Sequence, residues 1–370
     1  MKNILVTGVN GFIGKNLITD LEQYSDYKVL PVSQATPIIL RQQYLMEADF
    51  IVYLADDEQT PLDKAFIKKN TQFLQEFLEN LKRNTKLPPI LFISSAFEEK
   101  DSLLVQSKRA AEQALNQFSE ENGNVILIYR LYQIFGKWAQ PGSENIVATF
   151  CDAVIHDAEI TLHDSEVPLQ LNYIEDVIQE IKRAVEGNPT VTENALTVPN
   201  TFQITLGNLV KRIETFKNLR KNAELPNLGE PFAKALYSTY ISYLPAEQLR
   251  YELLSKDNFT GTTADFLKST EKGQISISVA KPGVLKGNHW HHSKVEKYLV
   301  VSGTGVIRLK NIFSHHTMEY FVSGEQFEAV DIPAGYAHQI ENLGATDLVT
   351  LIWSSGAYNL EQPDSFYMEL

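Results

Sequence analysis

The sequence predicts two domains, an α/β domain with a parallel sheet followed by an all-β domain. From residue 3 to about residue 186, short β-branched runs alternate with longer stretches whose apolar residues recur every three or four positions, as strands and helices do in a parallel sheet. From about Thr260 onward, short alternating runs are separated by turn residues, which is typical of an antiparallel barrel or sandwich. A chain of 370 residues is also too long for one core.

The predicted elements follow from these periodicities. Five runs are predicted to form the parallel sheet: Asn3–Thr7, Lys28–Val32, Phe50–Ala55, Ile90–Ser94 and Val125–Arg130. Six stretches are predicted to be helical: Lys15–Glu22, Ala65–Leu81, Leu103–Phe118, Asn145–His156, Glu175–Glu186 and Leu206–Leu219. The pattern changes near Pro245, so we expect the first domain at residues 1–245, a linker at 246–258 and the second domain at 259–370.

Composition narrows the class of partner. The net charge of −13, from 33 basic and 46 acidic residues, repels polyphosphate backbones and anionic lipid surfaces, which disfavours nucleic acids and membranes as partners. No stretch approaches the roughly 18 apolar residues of a membrane span, and the first residues lack the apolar run of a secretory signal. The single cysteine, Cys151, cannot pair within the chain. We therefore expect a cytoplasmic protein.

A glycine-rich loop follows the first predicted strand. Gly8, Gly11 and Gly14 are spaced as GxxGxxG between an apolar strand and a helix. Glycines allow a tight turn and close approach of the backbone, and a helix N-terminus presents free N–H groups to a pyrophosphate. The loop therefore predicts nucleotide-phosphate binding, with a purely structural strand–helix turn as the alternative.

The first domain resembles the extended short-chain dehydrogenase/reductase family. The glycine spacing carries the resemblance, together with the strand Val52–Ala55, the helix residue Asn70, the pair Ser107–Lys108 and the segment Arg130–Gly136. It implies a Rossmann fold that binds NAD(H) or NADP(H), with Lys108 as a catalytic residue. The implied cofactor contacts are Gly8, Gly11, Phe12, Ile13, Gly14, Leu54, Ala55, Asn70 and Lys108.

The chain departs from that family where the family places its proton donor. Leu104 stands where the family has a tyrosine, Ala96 stands where it has a serine or threonine, and Gln34 stands where an acid or arginine would select the cofactor. Either another hydroxyl, such as that of Ser95 or of a tyrosine from elsewhere, replaces the missing one, or the domain binds nucleotide without reducing anything. We expect the second, because a leucine cannot transfer a proton.

Six of the eight histidines lie after residue 288. Residues two apart on a strand face the same side, so His289 and His291 can point together into a barrel, where Glu296 and His338 would complete a set of three nitrogens and one oxygen. Such a set accepts a divalent metal ion, for which we expect zinc, although nickel, manganese and iron(II) bind it too. The alternative for each histidine is an ordinary core or surface imidazole.

The histidine spacing resembles both halves of the cupin signature, and a cupin is a double-stranded β-helix or jelly-roll domain. A Rossmann domain followed by a cupin resembles the CapF-like family of bifunctional capsular polysaccharide enzymes, which act in the UDP-N-acetyl-L-fucosamine pathway. The segments that carry this resemblance are Phe135–Trp138, Leu171–Tyr173, Lys281–Gly283, Lys286–His292, Glu296–Lys297, Val300–Gly303 and Ile340–Gly344.

The resemblance implies a UDP-sugar substrate and two reactions. The cupin would epimerise carbon 3 of a UDP-4-keto-6-deoxy-HexNAc, and the Rossmann domain would reduce the 4-ketone toward UDP-2-acetamido-2,6-dideoxy-L-talose. It also implies a homodimer. The ketone acidifies the neighbouring C–H, so a base can remove that proton while a cation or acid stabilises the enolate. The candidate bases are Lys286, His292, Tyr298 and Tyr336.

Two other functions are compatible with the same motifs. Glycine loops and metal sites can persist without catalysis, so the protein could instead be a metal-binding scaffold or sensor. A cupin oxygenase would need iron(II), and its chemistry gives no reason for an attached nucleotide-sugar domain. Metal content combined with UDP-sugar binding distinguishes the scaffold from the enzyme.

Overall fold

The computed structural model describes residues 1–54, 64–96, 103–142, 145–356 and 363–370, with side chains except those of residues 64–67 and 103–104. By the density of its packing, the chain divides into two compact units. The first consists of Met1–Ile213 and Ser238–Tyr243, and the second of Glu214–Tyr237 and Leu244–Leu370. The domain boundaries expected from the sequence differ from these units at residues 214–237 and stay a prediction.

The first unit contains the parallel sheet. Its strands are β1 (Lys2–Val6), β2 (Tyr27–Pro31), β3 (Phe50–Tyr53), β4 (Ile90–Ser95) and β5 (Ile126–Leu131), in the order β2-β1-β3-β4-β5. Every pairing between neighbouring strands is parallel. The predicted parallel α/β architecture is therefore confirmed, although the last residue of the predicted third strand, Ala55, lies outside the described residues.

Six helices of the first unit connect or follow these strands: α1 (Phe12–Leu21), α2 (Ile38–Glu47), α3 (Lys64–Leu81), α4 (Leu103–Asn122), α5 (Ile146–Ile155) and α6 (Ile174–Val185). Buried side chains of α1 and α6 form one core on one face of the sheet, and those of α2, α3 and α4 form a second core on the other face. Apolar side chains therefore cover both faces, as a buried parallel sheet requires.

The chain then builds smaller elements and three more helices. The short strands are β6 (Gln133–Phe135), β7 (Pro168–Tyr173), β8 (Val191–Thr192), β9 (Ala195–Leu196) and β10 (Thr201–Thr205); β10, β7 and β6 form a three-stranded sheet, and β8 pairs with β9. The helices are α7 (Leu206–Lys221), α8 (Pro231–Ser242) and α9 (Ala246–Leu249). No helix in the described part of the chain is both long and apolar enough to cross a membrane.

The C-terminal region is all β. Its strands are β11 (Ser255–Asn258), β12 (Gly261–Ser269), β13 (Gly273–Ala280), β14 (Leu285–Trp290), β15 (Glu296–Ser302), β16 (Thr304–Asn311), β17 (Thr317–Ser323), β18 (Ala329–Ile332), β19 (Tyr336–Asn342), β20 (Leu348–Ser354) and β21 (Phe366–Tyr367). They form two antiparallel sheets, β11-β12-β13-β20-β15-β18 and β17-β16-β19-β14-β21. One core takes buried side chains from both sheets. A buried site in this region would therefore be lined by the inward faces of the two sheets.

Candidate functional site

Four potential ligand side chains converge inside the C-terminal region. His289 lies on β14, His291 follows the end of that strand, Glu296 begins β15 and His338 lies within β19. Their ligand atoms all lie within 4.8 Å of one another. The four residues singled out by their spacing are therefore brought together by the fold, and they could hold a metal ion.

Strand pairing explains this convergence. His289 pairs directly with His338 across β14 and β19, and their ring centroids are 4.4 Å apart. The register of this pair shifts between Gly287 and His289, and Asn288 adopts a left-handed backbone conformation with φ of 63°. This bulge changes the strand's alternation, so Lys286, three residues before His289, faces the same side of the sheet as His289.

The electrostatics of the cluster favour a cation at its centre. Burial, together with the neighbouring imidazoles of His338 and His291, lowers the pKa of His289 to about 4. Burial alone would raise the pKa of Glu296, but its contacts with His291 and His338 hold that pKa well below its usual range. A carboxylate and a neutral imidazole are the protonation states that bind divalent cations.

The orientation of the rings is fixed by backbone carbonyls. His291 Nδ1 donates to the carbonyl of Asp364, and His338 Nδ1 lies 3.3 Å from the carbonyl of Tyr336. Each ring therefore turns its Nε2 toward Glu296, at 3.5 Å from Oε1 for His291 and 3.2 Å from Oε2 for His338. Both Nε2 atoms and Glu296 Oε2 are buried and have no hydrogen-bond partner among the residues that the structure describes. Buried orphan ligand atoms aimed at one point fit a bound metal ion.

The four candidate bases differ in where they lie. Lys286 is half-buried, and its Nζ lies 2.8 Å from the Val279 carbonyl and 3.2 Å from Ser278 Oγ. Burial lowers the pKa of Lys286. Tyr298 is buried two residues after Glu296, on the same face of β15. Burial together with that carboxylate raises the pKa of Tyr298 well above 10.

The other two candidate bases lie at the margin of the cluster. His292 is exposed, and its ring packs between those of Trp290 and Phe366 at centroid distances of 4.4 Å and 4.8 Å. Tyr336 packs against the core and supplies the carbonyl beside His338. The exposed ring of His292 therefore lies apart from the buried side chains of His291, Glu296 and His338.

Asp364 contacts the candidate site, and no sequence motif predicted these contacts. Its carboxylate accepts hydrogen bonds from the backbone N–H groups of His292, Ser293 and Lys294 at 2.7–3.0 Å, as well as from the Ser293 hydroxyl. Burial would raise the pKa of Asp364, but these hydrogen bonds hold it well below its usual range. The only local signal is the turn-forming pair Pro363–Asp364, about 70 residues from the turn that it holds.

The glycine loop has the geometry that a nucleotide diphosphate needs. Gly8 has a φ of 61°, and Gly11 N–H donates to the Gly8 carbonyl at 3.1 Å. A Cβ at Gly14 would lie 2.1 Å from the Gly8 backbone oxygen. The helix can therefore pack this close to the loop only because residue 14 is glycine. Phe12 is buried in the core and Ile13 packs against it. These two residues would therefore contact a ligand through backbone N–H groups.

The other predicted cofactor contacts lie at the ends of neighbouring elements. Leu54 follows β3, and Thr7 holds it by accepting from its N–H at 2.8 Å and donating to its carbonyl at 2.6 Å. Asn70 on α3 has a buried Nδ2 with no hydrogen-bond partner in the described chain. Lys108 is half-buried on α4, and Ala55 lies outside the described residues. The loop and the orphan amide fit a dinucleotide.

Comparison with known proteins agrees with this geometry. Residues 4–195 match the NAD dependent epimerase/dehydratase family. A UDP-2-acetamido-2,6-beta-L-arabino-hexul-4-ose reductase of Pseudomonas aeruginosa is 33% identical over 363 residues, covering 98% of this chain and 97% of that reductase. The chain belongs to the NAD dependent epimerase/dehydratase family. In this family member, residues 256–366 also match the polysaccharide biosynthesis C-terminal domain.

Solved structures extend the match to the whole family member. The crystal structure of the capsular polysaccharide assembling protein CapF from Staphylococcus aureus matches with a TM-score of 0.89 and 43% identity, covering 100% of both chains. The expected resemblance to CapF-like proteins is therefore confirmed. UDP-glucuronic acid 4-epimerase from Bacillus cereus matches with a TM-score of 0.51 and 20% identity, over 58% of this chain and 83% of that one. This second likeness shows the Rossmann-like fold alone.

Proposed function

We propose that the protein is a nucleotide-sugar enzyme of capsular polysaccharide biosynthesis whose C-terminal region, a cupin, epimerises carbon 3 of a UDP-4-keto-6-deoxy-HexNAc. The observation that carries the proposal is the convergence of His289, His291, Glu296 and His338, with Lys286 on the same face of β14 as His289. A cation site on the same face of a strand as a half-buried amine suits the removal of a proton next to a ketone. The relatives named above act on, or assemble, such sugars and polysaccharides.

The four clustered side chains would hold a divalent metal, and zinc suits their three nitrogens and one oxygen. A metal there would supply a positive charge that polarises a substrate oxygen, or a link that ties three strands together. The protein's own part is to orient the ligands. His291 and His338 each use Nδ1 on a backbone carbonyl, which leaves Nε2 as the lone-pair atom facing the cluster.

Lys286 is the candidate that we favour for the carbon-3 proton. Its side chain shares the inward face with the cluster, and burial lowers its pKa, which favours the neutral amine that a base requires. Ser278 Oγ and the Thr262 carbonyl lie 3.2 Å and 3.4 Å from its Nζ, so the amine is held in one place. His292 is exposed and turned toward Trp290 and Phe366, which argues against it.

For the N-terminal domain we propose binding of NAD(H) or NADP(H) by the loop from Gly8 to Gly14, and of the UDP-sugar at the same edge of the sheet. This site would act on the ketone product of the epimerisation. We further propose that the protein works as a homodimer, which the resemblance described from the sequence implies, and in the cytoplasm, which its single cysteine favours.

Proton exchange tests the epimerase directly. The metal-loaded protein is incubated with the UDP-4-keto-6-deoxy-HexNAc in deuterium oxide, and label at carbon 3 is followed by NMR and mass spectrometry. We expect exchange in the wild type, and a loss of about 100-fold or more in Lys286→Met with bound metal unchanged. Lys297→Met is the matched control, because Lys297 is an exposed lysine paired with Asp331.

The same samples separate the enzyme from a scaffold. Metal content is measured by elemental analysis and UDP-sugar affinity by calorimetry. A protein that binds metal but neither binds the UDP-sugar nor exchanges the carbon-3 proton would be a non-catalytic scaffold or sensor, and the proposal would be wrong. Oxygen uptake dependent on iron(II) would instead indicate an oxygenase.

A further inference from the structure

The N-terminal domain carries a tyrosine that can replace the hydroxyl missing at Leu104. We propose that Tyr132 is the proton donor for reduction of the sugar ketone. This inference rests on the proposal above that the domain binds a reduced nicotinamide nucleotide and the UDP-4-keto sugar, and it extends that proposal to a residue that the family motif does not include.

A polar cluster of one exposed and two buried residues, Arg130 with Ser94 and Glu112, fixes the relative heights of β4, β5 and α4. Arg130 on β5 donates to both carboxylate oxygens of Glu112 on α4, at 3.1 Å and 2.6 Å. Ser94 on β4 pairs in register with Arg130, and its hydroxyl also contacts Glu112. Ser94, Arg130 and Glu112 therefore lie at the same height along β4, β5 and α4, and this height is the reference level for the residues around them.

The next level toward the carboxyl edge of the sheet contains Tyr132 and Lys108. Tyr132 lies two residues beyond Arg130, which is about 6.6 Å along a strand. The helix α4 connects two parallel strands and runs opposite to them, so four residues before Glu112, or about 6 Å along a helix, is Lys108. The two residues are therefore placed at the same height, where a substrate bound at this edge would lie.

Strand alternation gives Tyr132 the correct face. Ile126 and Ile128 pack against the core that includes α4, whereas Tyr129 and Leu131 belong to the core on the opposite face. Tyr132 directly follows β5 and is half-buried, and continued alternation from Ile128 would turn its side chain toward α4. Its backbone N–H donates to Asn172 Oδ1 at 3.1 Å, which fixes the chain just after β5.

The same alternation argues against the serines. Ser94 faces α4, but it lies one level deeper and its hydroxyl contacts Glu112. Ser95 is the next residue on β4 and faces the opposite side of the sheet, away from α4. Of the three described hydroxyls compared, those of Ser94, Ser95 and Tyr132, we therefore assign the role to that of Tyr132.

The reaction balances with one reductant and one proton. The carbonyl carbon at sugar position 4 accepts a hydride from the reduced nicotinamide, which is oxidised to its cation. The electron pair of the C=O π bond passes to oxygen, which takes the proton of the Tyr132 hydroxyl and becomes the alcohol. The Tyr132 phenolate then regains a proton from water, and the Lys108 ammonium would stabilise its negative charge.

Reduction and binding test the assignment together. Oxidation of NADPH and of NADH is followed by absorbance with the UDP-4-keto sugar, and carbon-3 exchange is measured on the same samples. We expect the wild type to reduce the ketone and Tyr132→Phe to lose about 10²–10⁴-fold in rate, with exchange retained. Tyr44→Phe, on α2 against the core, should match the wild type.

A reciprocal variant and a binding measurement complete the design. The double variant Leu104→Tyr/Tyr132→Phe should reduce the ketone at least tenfold faster than Tyr132→Phe alone, because it returns a hydroxyl one helical turn before Lys108. By calorimetry without cofactor, Tyr132→Phe should bind the 4-keto sugar about three- to tenfold more weakly, the worth of one hydrogen bond, and bind UDP with unchanged affinity.

The outcomes separate this inference from the proposed function. Full reduction by Tyr132→Phe, or unchanged binding of the keto sugar to it, would overturn the role of Tyr132. A wild type that exchanges the carbon-3 proton without reducing the ketone would also overturn it and would leave the epimerase standing. Reduction without exchange would support Tyr132 and contradict the epimerase.

Discussion

His291 is oriented by Asp364, a residue 73 positions further along the chain. The imidazole Nδ1 donates to the backbone carbonyl of Asp364, while the Asp364 carboxylate accepts from the backbone at His292, Ser293 and Lys294. One residue therefore fixes both the ring of a potential ligand and the turn that follows it. Loss of such outer contacts typically lowers metal affinity by about 10- to 100-fold.

Replacing Asp364 by alanine should weaken metal binding without removing a ligand. The variant loses the four hydrogen bonds to the turn, so His291 is held less firmly. We expect about 10- to 100-fold lower affinity for zinc, measured by competition with a chromogenic chelator. Asp347→Ala is the matched control, because Asp347 is an exposed aspartate paired with Lys281. Equal zinc affinity in both variants would mean that the turn does not position His291.

Bound metal should stabilise the C-terminal region. The ligand atoms are placed by folding, so a metal that binds only the native state adds about 2.7 kcal/mol at a free concentration 100 times its Kd. Thermal unfolding with and without a chelator should reveal this difference in the wild type and not in His338→Ala. His316→Ala should behave as the wild type, since His316 is exposed in the β16–β17 hairpin. A chelator-insensitive melting temperature in the wild type would contradict a metal site.

Replacing Gly14 by alanine should disrupt the nucleotide loop. The added Cβ would lie 2.1 Å from the Gly8 oxygen, so α1 must move away from β1. We expect NADPH or NADH to bind at least tenfold more weakly, as measured by cofactor fluorescence, because the helix N–H groups lose their alignment. Gly356→Ala is the control, since no described residue lies within 4 Å of its added Cβ. Unchanged cofactor binding by Gly14→Ala would assign the loop a structural role only.

The sequence predicted the strongly periodic elements and missed those whose periodicity is weak. The five sheet strands were expected within two residues of their observed bounds. The helix α2 was not expected, because its buried positions include the charged Arg41, while Ile38 and Ile39 are exposed. Arg41 is buried because its guanidinium packs over the Phe73 ring and donates to the Thr36 carbonyl, partners that the sequence cannot specify.

The four clustered ligands were predictable from spacing, but their surroundings were not. The bulge at Asn288 puts Lys286 on the face of His289, and simple alternation would have put it on the opposite face. Tyr132 was missed for a related reason. Its relation to Lys108 depends on the direction of α4 and on the register of β4 with β5, which emerge only once the sheet is assembled.

The ion pair between Glu112 and Arg130 should make the stability of the fold depend on pH. Burial would raise the pKa of Glu112, but hydrogen bonds from Arg130 and Ser94 lower it below its ordinary value. A carboxyl whose pKa is lower in the folded than in the unfolded state stabilises the fold above its unfolded pKa, and this stabilisation is lost as the pH falls through the folded value. Glu112→Gln should therefore be less stable than the wild type at pH 7, by about 1 kcal/mol because Arg130 is partly exposed. The difference should disappear near pH 3, as measured by urea unfolding at each pH.

Glu79→Gln, at an exposed acid next to Lys82, should show little change at either pH. A deficit of Glu112→Gln that persisted at pH 3 would mean that the carboxylate charge does not hold β5 against α4.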